Sequence, residues 1–189
     1  MPGLYAPGHY DLAGFCVGVA ERDSVLDGSG IQAGDAVIGL PSSGLHSNGY
    51  SLVRQICDPL DWSESHGLDG PLGEVLLRPT RIYVSECLRL AREFDAKAMA
   101  HVTGGGLLEN LPRVLPAGLG IRLEPLPLPP LFSFLQSEGG LSDTDMHRTF
   151  NCGIGMAAVL PPELAAEAAS ALGGSLIGKI VEGNGVSWA

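Results

Sequence analysis

Residues 35–57 read DAVIGLPSSGLHSNGYSLVRQIC, and this stretch predicts a strand, a polar loop and a helix in succession. The apolar run over residues 35–40 is typical of a buried strand. Apolar residues recur at helical spacing over residues 48–57, which predicts a short helix. A strand that leads through a loop into a helix is a unit of sheets that are covered by helices.

The rest of the chain repeats this alternation. Strands are predicted at residues 11–20, 97–102, 121–123, 154–160 and 175–181. Helices are predicted at residues 79–94, 107–115, 130–137 and 162–172, and residues 142–148 begin with helix-capping side chains. We expect Pro79 in the first turn of its helix, a bend or restart at Pro112, and a helix end at Gly173. The pattern predicts an α+β fold, a mixed β-sheet with helices packed on its faces.

Composition narrows the class of protein. The chain has 189 residues, enough for one domain with a proper core. Its net charge is −10, from 21 acidic and 11 basic residues, which disfavours partners such as nucleic acid or an anionic membrane. No apolar run is long enough to span a bilayer and no secretory signal is recognised. The four cysteines are widely separated, so we expect reduced thiols, no metal site and a cytoplasmic location.

The loop over residues 39–51 (GLPSSGLHSNGYS) is the first candidate site. Glycines let the backbone approach a ligand, and free N–H groups at a helix start attract anions. The loop therefore predicts a phosphate cradle that needs no lysine, with His46 as the candidate catalytic group. A plain strand-to-helix turn is the alternative interpretation. The predicted binding residues are Ser42, Ser43, Gly44, Ser47 and Asn48.

Residues 101–113 (HVTGGGLLENLPR) form the second candidate loop. Three glycines in a row are costly for the backbone and indicate a close approach by a ligand or another segment. The alternative is that they only allow a tight turn and close helix packing. Two glycine-rich strand ends can flank one cleft, which favours a second wall of the same site. The predicted residues of this wall are Thr103, Gly104, Gly105, Gly106 and Asn110.

Positions outside the two loops are weaker candidates. Arg78 and Arg81 bracket a predicted helix start and either could pair with an anion, although exposed arginines usually contribute little. Cys152 is expected to be a small buried residue and not a nucleophile, because no cationic partner is predicted beside it.

Six strings, taken together, resemble phosphoribosylformylglycinamidine cyclo-ligase, also called aminoimidazole ribonucleotide synthetase. The resemblance keeps order and spacing over nearly the whole chain, and it matches only the C-terminal half of that enzyme. Looser versions of the loops occur in related kinases and synthases. The composition of the loops in this chain disfavours its assignment to one of those related enzymes. The strings are MPGLY (1–5), YDLAGFCVG (10–18), SSGLHSNGYSLVR (42–54), LLRPTRIYV (76–84), HVTGGGLLENLPRVLP (101–116) and MHRTFNCGIGM (146–156).

The resemblance implies an ATP- and Mg²⁺-dependent ring closure of formylglycinamidine ribonucleotide to aminoimidazole ribonucleotide, ADP and phosphate. Such a reaction depends more on positioning and charge stabilisation than on a protein nucleophile. The family's main ATP and Mg²⁺ ligands lie in its N-terminal domain, and the full-length family enzyme is a homodimer.

The resemblance also implies a division of the chain. Residues 1–10 would be an irregular interdomain segment, residues 11–189 the C-terminal synthetase domain, and the N-terminal ATP-binding domain would lie outside this sequence. We therefore expect the chain to be inactive alone. The alternative is a stand-alone phosphate- or ribonucleotide-binding module, or a subunit that needs a separate N-terminal chain.

Overall fold

The computed structural model describes residues 8–10 and 12–189. Within these residues, six strands form one sheet in the order β2-β4-β1-β5-β3-β6. The strands are β1 (Ala36–Pro41), β2 (Ala98–His101), β3 (Leu119–Leu123), β4 (Ile154–Leu160), β5 (Ser175–Glu182) and β6 (Gly185–Trp188).

The sheet is mixed, because β3 and β6 pair in parallel while the other neighbours are antiparallel. Strand β1 lies inside the sheet, where Val37 is opposite Val159 of β4 on one side and Gly178 of β5 on the other. Its first five residues are buried, since helices cover both faces of the sheet. This burial explains why the strand reads as a continuous apolar run.

The described residues contain seven α-helices, which pack in three groups. Helices α3 and α7 cover one face of the sheet, and α4 with the 3₁₀ turn Leu111–Val114 covers the other. The remaining helices pack on one another around the buried rings of Phe132 and Phe150. The helices are α1 (Tyr50–Cys57), α2 (Leu72–Leu76), α3 (Val84–Glu93), α4 (Gly106–Asn110), α5 (Pro130–Gly139), α6 (Asp143–Thr149) and α7 (Pro162–Leu172).

The predicted α+β class is confirmed, and most predicted elements are present with shifts of a few residues at their ends. The helix predicted over residues 107–115 changes to a 3₁₀ turn at Leu111, next to Pro112. Ser142 caps α6 in a capping box with Asp145, and Gly173 ends α7 in the left-handed conformation. Helix α2 and strand β6 were not predicted, because segments this short show no clear periodicity.

Two predicted elements are wrong. Residues 12–20 form no strand and are exposed; Asp11 and residues 1–7 of the predicted lead-in lie outside the described part of the chain. The helix predicted over residues 79–94 begins only at Val84, so Pro79 does not occupy its first turn. The Pro79 carbonyl instead accepts a hydrogen bond from the Ser43 hydroxyl at 2.6 Å.

Candidate functional site

The first glycine loop (residues 42–49) connects β1 to α1. Its backbone has positive φ at Gly44 (148°), His46 (58°) and Gly49 (81°). At Gly49 an added Cβ would lie 2.4 Å from the ring of Phe150, a fully buried residue. The sharp turn and the packing therefore both require glycine at this position.

Asn151 fastens this loop to the residues before β4. Its Oδ1 accepts hydrogen bonds from the Ser42 hydroxyl at 2.9 Å and from the Gly153 N–H at 2.8 Å. Its Nδ2 donates to the Gly44 carbonyl at 2.9 Å. Asn151 is 3% exposed, so these bonds lie out of water and hold the loop in place before any ligand binds.

We expect Asn151→Leu to destabilise the fold by about 2 kcal/mol, because it leaves the Gly44 carbonyl and the Gly153 N–H without their partner. Urea unfolding measures the loss. Asn151→Asp keeps the acceptor for Gly153 but sets a carboxylate oxygen against the Gly44 carbonyl, so it should also destabilise. Gln55→Ala, at an exposed position of α1, should leave the midpoint unchanged. An unaltered midpoint for Asn151→Leu would contradict the anchoring role.

Residues 78–83 pack alongside the first glycine loop. The Ser47 hydroxyl lies 3.4 Å from that of Thr80, and the Pro41 carbonyl accepts from Arg81 at 3.2 Å and from the Tyr83 hydroxyl at 2.8 Å. The hydroxyl groups predicted to bind phosphate therefore also hold the loop together. Arg81 is committed to this role, since its guanidinium also pairs with Glu86 at 2.7 Å.

The backbone of the first glycine loop offers donors that the fold leaves unused. Within the described chain, the N–H groups of residues 44–48 have no hydrogen-bond acceptor. The Ser43 N–H differs, because it donates to Nε2 of His46 at 3.1 Å. Successive free N–H groups in a turn form an anion-binding concavity, which is the chemistry predicted for this loop.

His46 is buried, with 4% of its surface exposed. Since Nε2 accepts from Ser43, the neutral ring carries its proton on Nδ1, which has no partner among the described residues. Burial, followed by the nearby His101, lowers the pKa of His46 below its ordinary value of 6.5. The ring is thus a neutral group with one unused donor, and its role as a catalytic contact stays a prediction.

A second histidine, His147 in α6, also has a pKa lowered mainly by burial, and its ring lies 4.4 Å from that of Trp188. In the unfolded chain both imidazoles protonate near pH 6.5, whereas the native state resists protonation until lower pH. Their stabilising effect is therefore complete above pH 6.5 and is lost as pH falls through the native pKa values.

We expect the melting temperature to fall as pH is lowered from about 7 to about 5.5, where most carboxylates are still ionised. Replacing both His46 and His147 by Gln should flatten the profile in this range. Thermal unfolding followed by circular dichroism at several pH values measures it. An equally steep profile in the double variant would show that other groups cause the pH dependence.

The second glycine loop (residues 103–106) connects β2 to α4. Asn110 organises it: Nδ2 donates to the carbonyls of Gly104 at 3.1 Å and Gly106 at 2.7 Å, while Oδ1 accepts from the Thr103 hydroxyl at 3.1 Å. Asn110 is buried, so its polar atoms serve the loop itself. Whether Asn110 and Thr103 also contact a ligand stays a prediction.

The two glycine loops meet at Asn48. A Cβ added to Gly104 would lie 3.4 Å from Oδ1 of Asn48, which places the side chain of one loop against the backbone of the other. The ring of His101, the last residue of β2, lies 6.3 Å from that of His46. His101 was not predicted as a site residue; its position at a strand end before a glycine run was the available signal.

A cavity of about 400 Å³ lies beside the first glycine loop. Ser42, Ser43 and Gly44 line it, whereas the second glycine loop does not. Arg78 lines this cavity and forms an ion pair with Asp69 at 2.7 Å. Asp69 was not among the residues predicted from the sequence. The predicted residues therefore divide into two groups, one facing this cavity and one facing the junction of the loops.

Metal ligands, an activated thiol and a membrane-spanning helix were sought in the rest of the described chain. No three His, Cys, Asp or Glu side chains within residues 8–10 and 12–189 form a cluster that could hold a metal ion. Burial raises the pKa of the Cys152 thiol to about 12, so it is a buried residue and not an activated nucleophile. In the part of the chain that the structure describes, no helix is long and apolar enough to cross a membrane.

A mixed sheet with glycine-rich loops at its strand ends defines a class of domain. The family model described as "AIR synthase related protein, C-terminal domain" matches residues 32–188. The chain belongs to this family, and the part it represents is the C-terminal domain.

Relatives at about 50% identity carry the name that the sequence motifs predicted. The phosphoribosylformylglycinamidine cyclo-ligase of Nitrosospira multiformis is 53% identical over 91% of this chain and 50% of its own length. That of Geobacillus thermodenitrificans is 50% identical over 100% of this chain and 58% of its own length. The resemblance is confirmed, and the chain spans little more than half of these relatives.

Solved structures support the fold. A thiamine-monophosphate kinase from Stenotrophomonas maltophilia is similar with a TM-score of 0.60 at 22% identity, covering 89% of this chain and 54% of that protein. The hydrogenase maturation protein HypE of E. coli has a TM-score of 0.59 at 22% identity, over 86% of this chain and 48% of HypE. At this identity the likeness concerns the fold alone.

Proposed function

We propose that this chain is the C-terminal part of a cyclo-ligase that closes the imidazole ring of formylglycinamidine ribonucleotide in an ATP-dependent step of purine biosynthesis. The products are aminoimidazole ribonucleotide, ADP and phosphate. The names of the relatives support the reaction. The observation that carries the proposal is the run of unused N–H groups over residues 44–48, because a ribonucleotide substrate brings a phosphate that such a run would bind.

The chain's own residues then have distinct tasks. The N–H groups of residues 44–48 hold the substrate phosphate, and Ser42 and Ser43 keep the loop in shape through their hydrogen bonds to Asn151 and Pro79. The second glycine loop forms the opposite wall at Asn48. His46 supplies the remaining donor, Nδ1–H, to the reacting complex. Positioning of this kind is the main requirement of such a reaction.

ATP and Mg²⁺ do not fit the described residues on their own. A magnesium site needs carboxylate oxygens in a cluster, and none is present in residues 8–10 and 12–189. Of the two lysines, Lys97 is held by Asp35 at 2.7 Å. We therefore assign both cofactors to the N-terminal half of the enzyme, and we expect this chain alone to be inactive.

Several exposed apolar side chains near the first glycine loop support an additional half that packs on this region. Leu77, Ile82, Val84 and Leu88 are exposed, and they lie in or next to residues 78–83, the segment that packs on the first glycine loop. Apolar patches of this kind mark interaction surfaces. A homodimer and a cytoplasmic location, both implied by the resemblance, are part of the same proposal.

The deciding experiment measures ADP release with formylglycinamidine ribonucleotide, ATP and Mg²⁺. The chain is assayed alone and after co-expression with the N-terminal half of the Geobacillus thermodenitrificans relative. We expect turnover only in the co-expressed sample. Turnover by the chain alone would show that a complete site lies within these residues.

A titration with ribose 5-phosphate distinguishes the half-enzyme from the alternative, a stand-alone phosphate-binding module. Saturable binding to the chain alone, with no turnover in either sample, would favour a phosphate-binding module. Absence of both binding and turnover would overturn the phosphate role of the first glycine loop. Asn48→Leu serves as the site variant, with Leu176→Asn, at an exposed position on β5, as the control that should behave like the unaltered chain.

A further inference from the structure

A second cavity, of about 360 Å³, is bounded by α4, the segment after β3, α6 and β6. It shares no lining residue with the cavity beside the first glycine loop, and it includes none of the residues predicted for either glycine loop. Small-molecule sites in proteins have volumes of about 300–1,000 Å³. This cavity lies at the lower end of that range, so it suits a ligand of one or two rings.

The walls of this second cavity are mostly apolar, with one aromatic side. Leu108 of α4, Leu126 and Leu128 after β3, and Met146 of α6 line it. Trp188 of β6 adds an indole ring that is 38% exposed. Apolar walls with an aromatic surface are the usual composition of a small-molecule site. The indole face favours a flat ligand that can stack on it.

Polar groups with unused hydrogen-bonding positions line the same cavity. Oδ1 of Asp143 accepts from Nε2 of Gln136 at 2.7 Å, whereas its Oδ2 forms no hydrogen bond within the described chain. Nδ1 of His147, whose ring lies 4.4 Å from that of Trp188, is buried and has no partner among residues 8–10 and 12–189. Buried polar atoms in proteins are nearly always hydrogen-bonded. An unpaired one on a ring that lines a cavity therefore indicates a ligand site.

The charge of the second cavity restricts the class of ligand. No lysine or arginine lines it, and Asp143 supplies a carboxylate. Burial lowers the pKa of His147, so its ring is neutral at pH 7 and provides no positive charge. A phosphate group would lie against the carboxylate without a cation to compensate it. An amino group, in contrast, would donate to the unused carboxylate oxygen.

We propose that this second cavity binds a flat heteroaromatic ring that carries an amino group and no phosphate, such as an aminopurine base. The ring packs on the indole of Trp188, and the amino group donates to Oδ2 of Asp143. This ligand differs from the substrate of the proposed reaction, whose phosphate is assigned to the first glycine loop. The proposal does not rest on that reaction.

The test is a titration of the full ¹⁵N-labelled chain with adenine, followed by nuclear magnetic resonance. The chain has two tryptophans, and the variant Trp188→Leu assigns their two indole N–H signals. We expect the Trp188 signal to shift saturably, with a dissociation constant below about 1 mM. The Trp62 signal should not move, because its Nε1 donates to the Cys57 carbonyl at 2.8 Å. Absence of a saturable shift of Trp188 up to about 5 mM adenine would overturn the proposal.

Matched ligands test the two chemical requirements. Purine has the ring system of adenine without the amino group, and it should bind at least about fivefold more weakly. Adenosine 5′-monophosphate should bind more weakly than adenosine, since the two differ only by the phosphate. Equal binding of purine and adenine, or tighter binding of the monophosphate, would refute the assigned class of ligand. Displacement of adenine by ribose 5-phosphate would place adenine at the first glycine loop and overturn the proposal.

Matched variants locate the contact. Asp143→Asn keeps the shape of the side chain and should weaken adenine binding at least about fivefold, with little effect on purine. Glu163→Gln removes the same charge from the first turn of α7, at an exposed position, and should bind adenine like the unaltered chain. Both positions are exposed, so both variants should keep the melting temperature. Equal affinity of the two variants for adenine would refute the role of Asp143.

The assay of ADP release keeps this proposal and the proposed reaction apart. Adenine binding with the expected variant pattern, but no ADP release in the co-expressed sample, would count against the reaction alone. ADP release without any adenine binding would overturn the second-cavity site and leave the reaction standing.

Discussion

Lys97→Met is expected to destabilise this protein by about 3–5 kcal/mol, the cost of leaving a buried carboxylate unpaired. Asp35 is 1% exposed, and Nζ of Lys97 donates to its Oδ1 at 2.7 Å and its Oδ2 at 2.8 Å. The Gln32 N–H donates to the same carboxylate at 2.8 Å. The pair directly precedes β1, an inner strand, and β2, the strand at one edge of the sheet, so the loss affects both strands.

Urea unfolding with a fitted midpoint and slope measures this loss. Arg89→Met is the matched control, because it removes an exposed ion pair with Glu93 at 2.9 Å, and it should cost less than about 1 kcal/mol. The double variant Lys97→Met with Asp35→Leu should recover much of the stability, since it removes the stranded charge. A double variant with a lower free energy of unfolding than Lys97→Met would refute this explanation.

The sheet and its helices were largely predictable because their residues repeat with a regular period. Strand β1 and helix α7 have nearly the bounds that their apolar runs and end signals indicate. The predictions fail where contacts with residues distant in sequence determine the local structure. Residues 79–83 have a helical pattern, yet the Ser43 hydroxyl and the Pro41 carbonyl hold them on the first glycine loop.

The positions of the glycine loops could be predicted from the sequence, whereas the hydrogen bonds that hold them in place could not. Glycine, serine and asparagine between a strand and a helix indicated the first glycine loop, and its free N–H groups agree with an anion cradle. No local pattern shows that Asn151, about one hundred residues away, would bond Ser42 and Gly44. Contacts at such sequence separation depend on the completed sheet, which brings β1 and β4 together.

The second glycine loop shows how one motif serves two purposes. Both interpretations of its glycines, a ligand approach and close helix packing, were open from the sequence. At Gly106 the structure supports packing, since an added Cβ would lie 2.0 Å from the carbonyl oxygen of His147 and 2.8 Å from that of Phe150. At Gly104 the neighbour is instead the side chain of Asn48, across the junction of the two loops.

Gly106→Ala is therefore expected to destabilise the fold by about 3 kcal/mol or more. The methyl group would overlap backbone atoms at the end of α6, and overpacking of this kind typically costs about 1–3 kcal/mol. The backbone also has a φ of 57° at this position, which adds about 1 kcal/mol for a residue with a side chain. Urea unfolding and the recovery of folded protein report the change.

Gly104→Ala, two residues earlier, is the control that separates packing from binding. Its Cβ would make only an ordinary contact, 3.4 Å from Oδ1 of Asn48, so stability should stay within about 0.5 kcal/mol of the unaltered chain. Because that contact lies where the loops meet, this variant should weaken ribose 5-phosphate binding instead. Equal destabilisation by both variants would mean that the glycine run is a packing element throughout, with no wall of the site at Gly104.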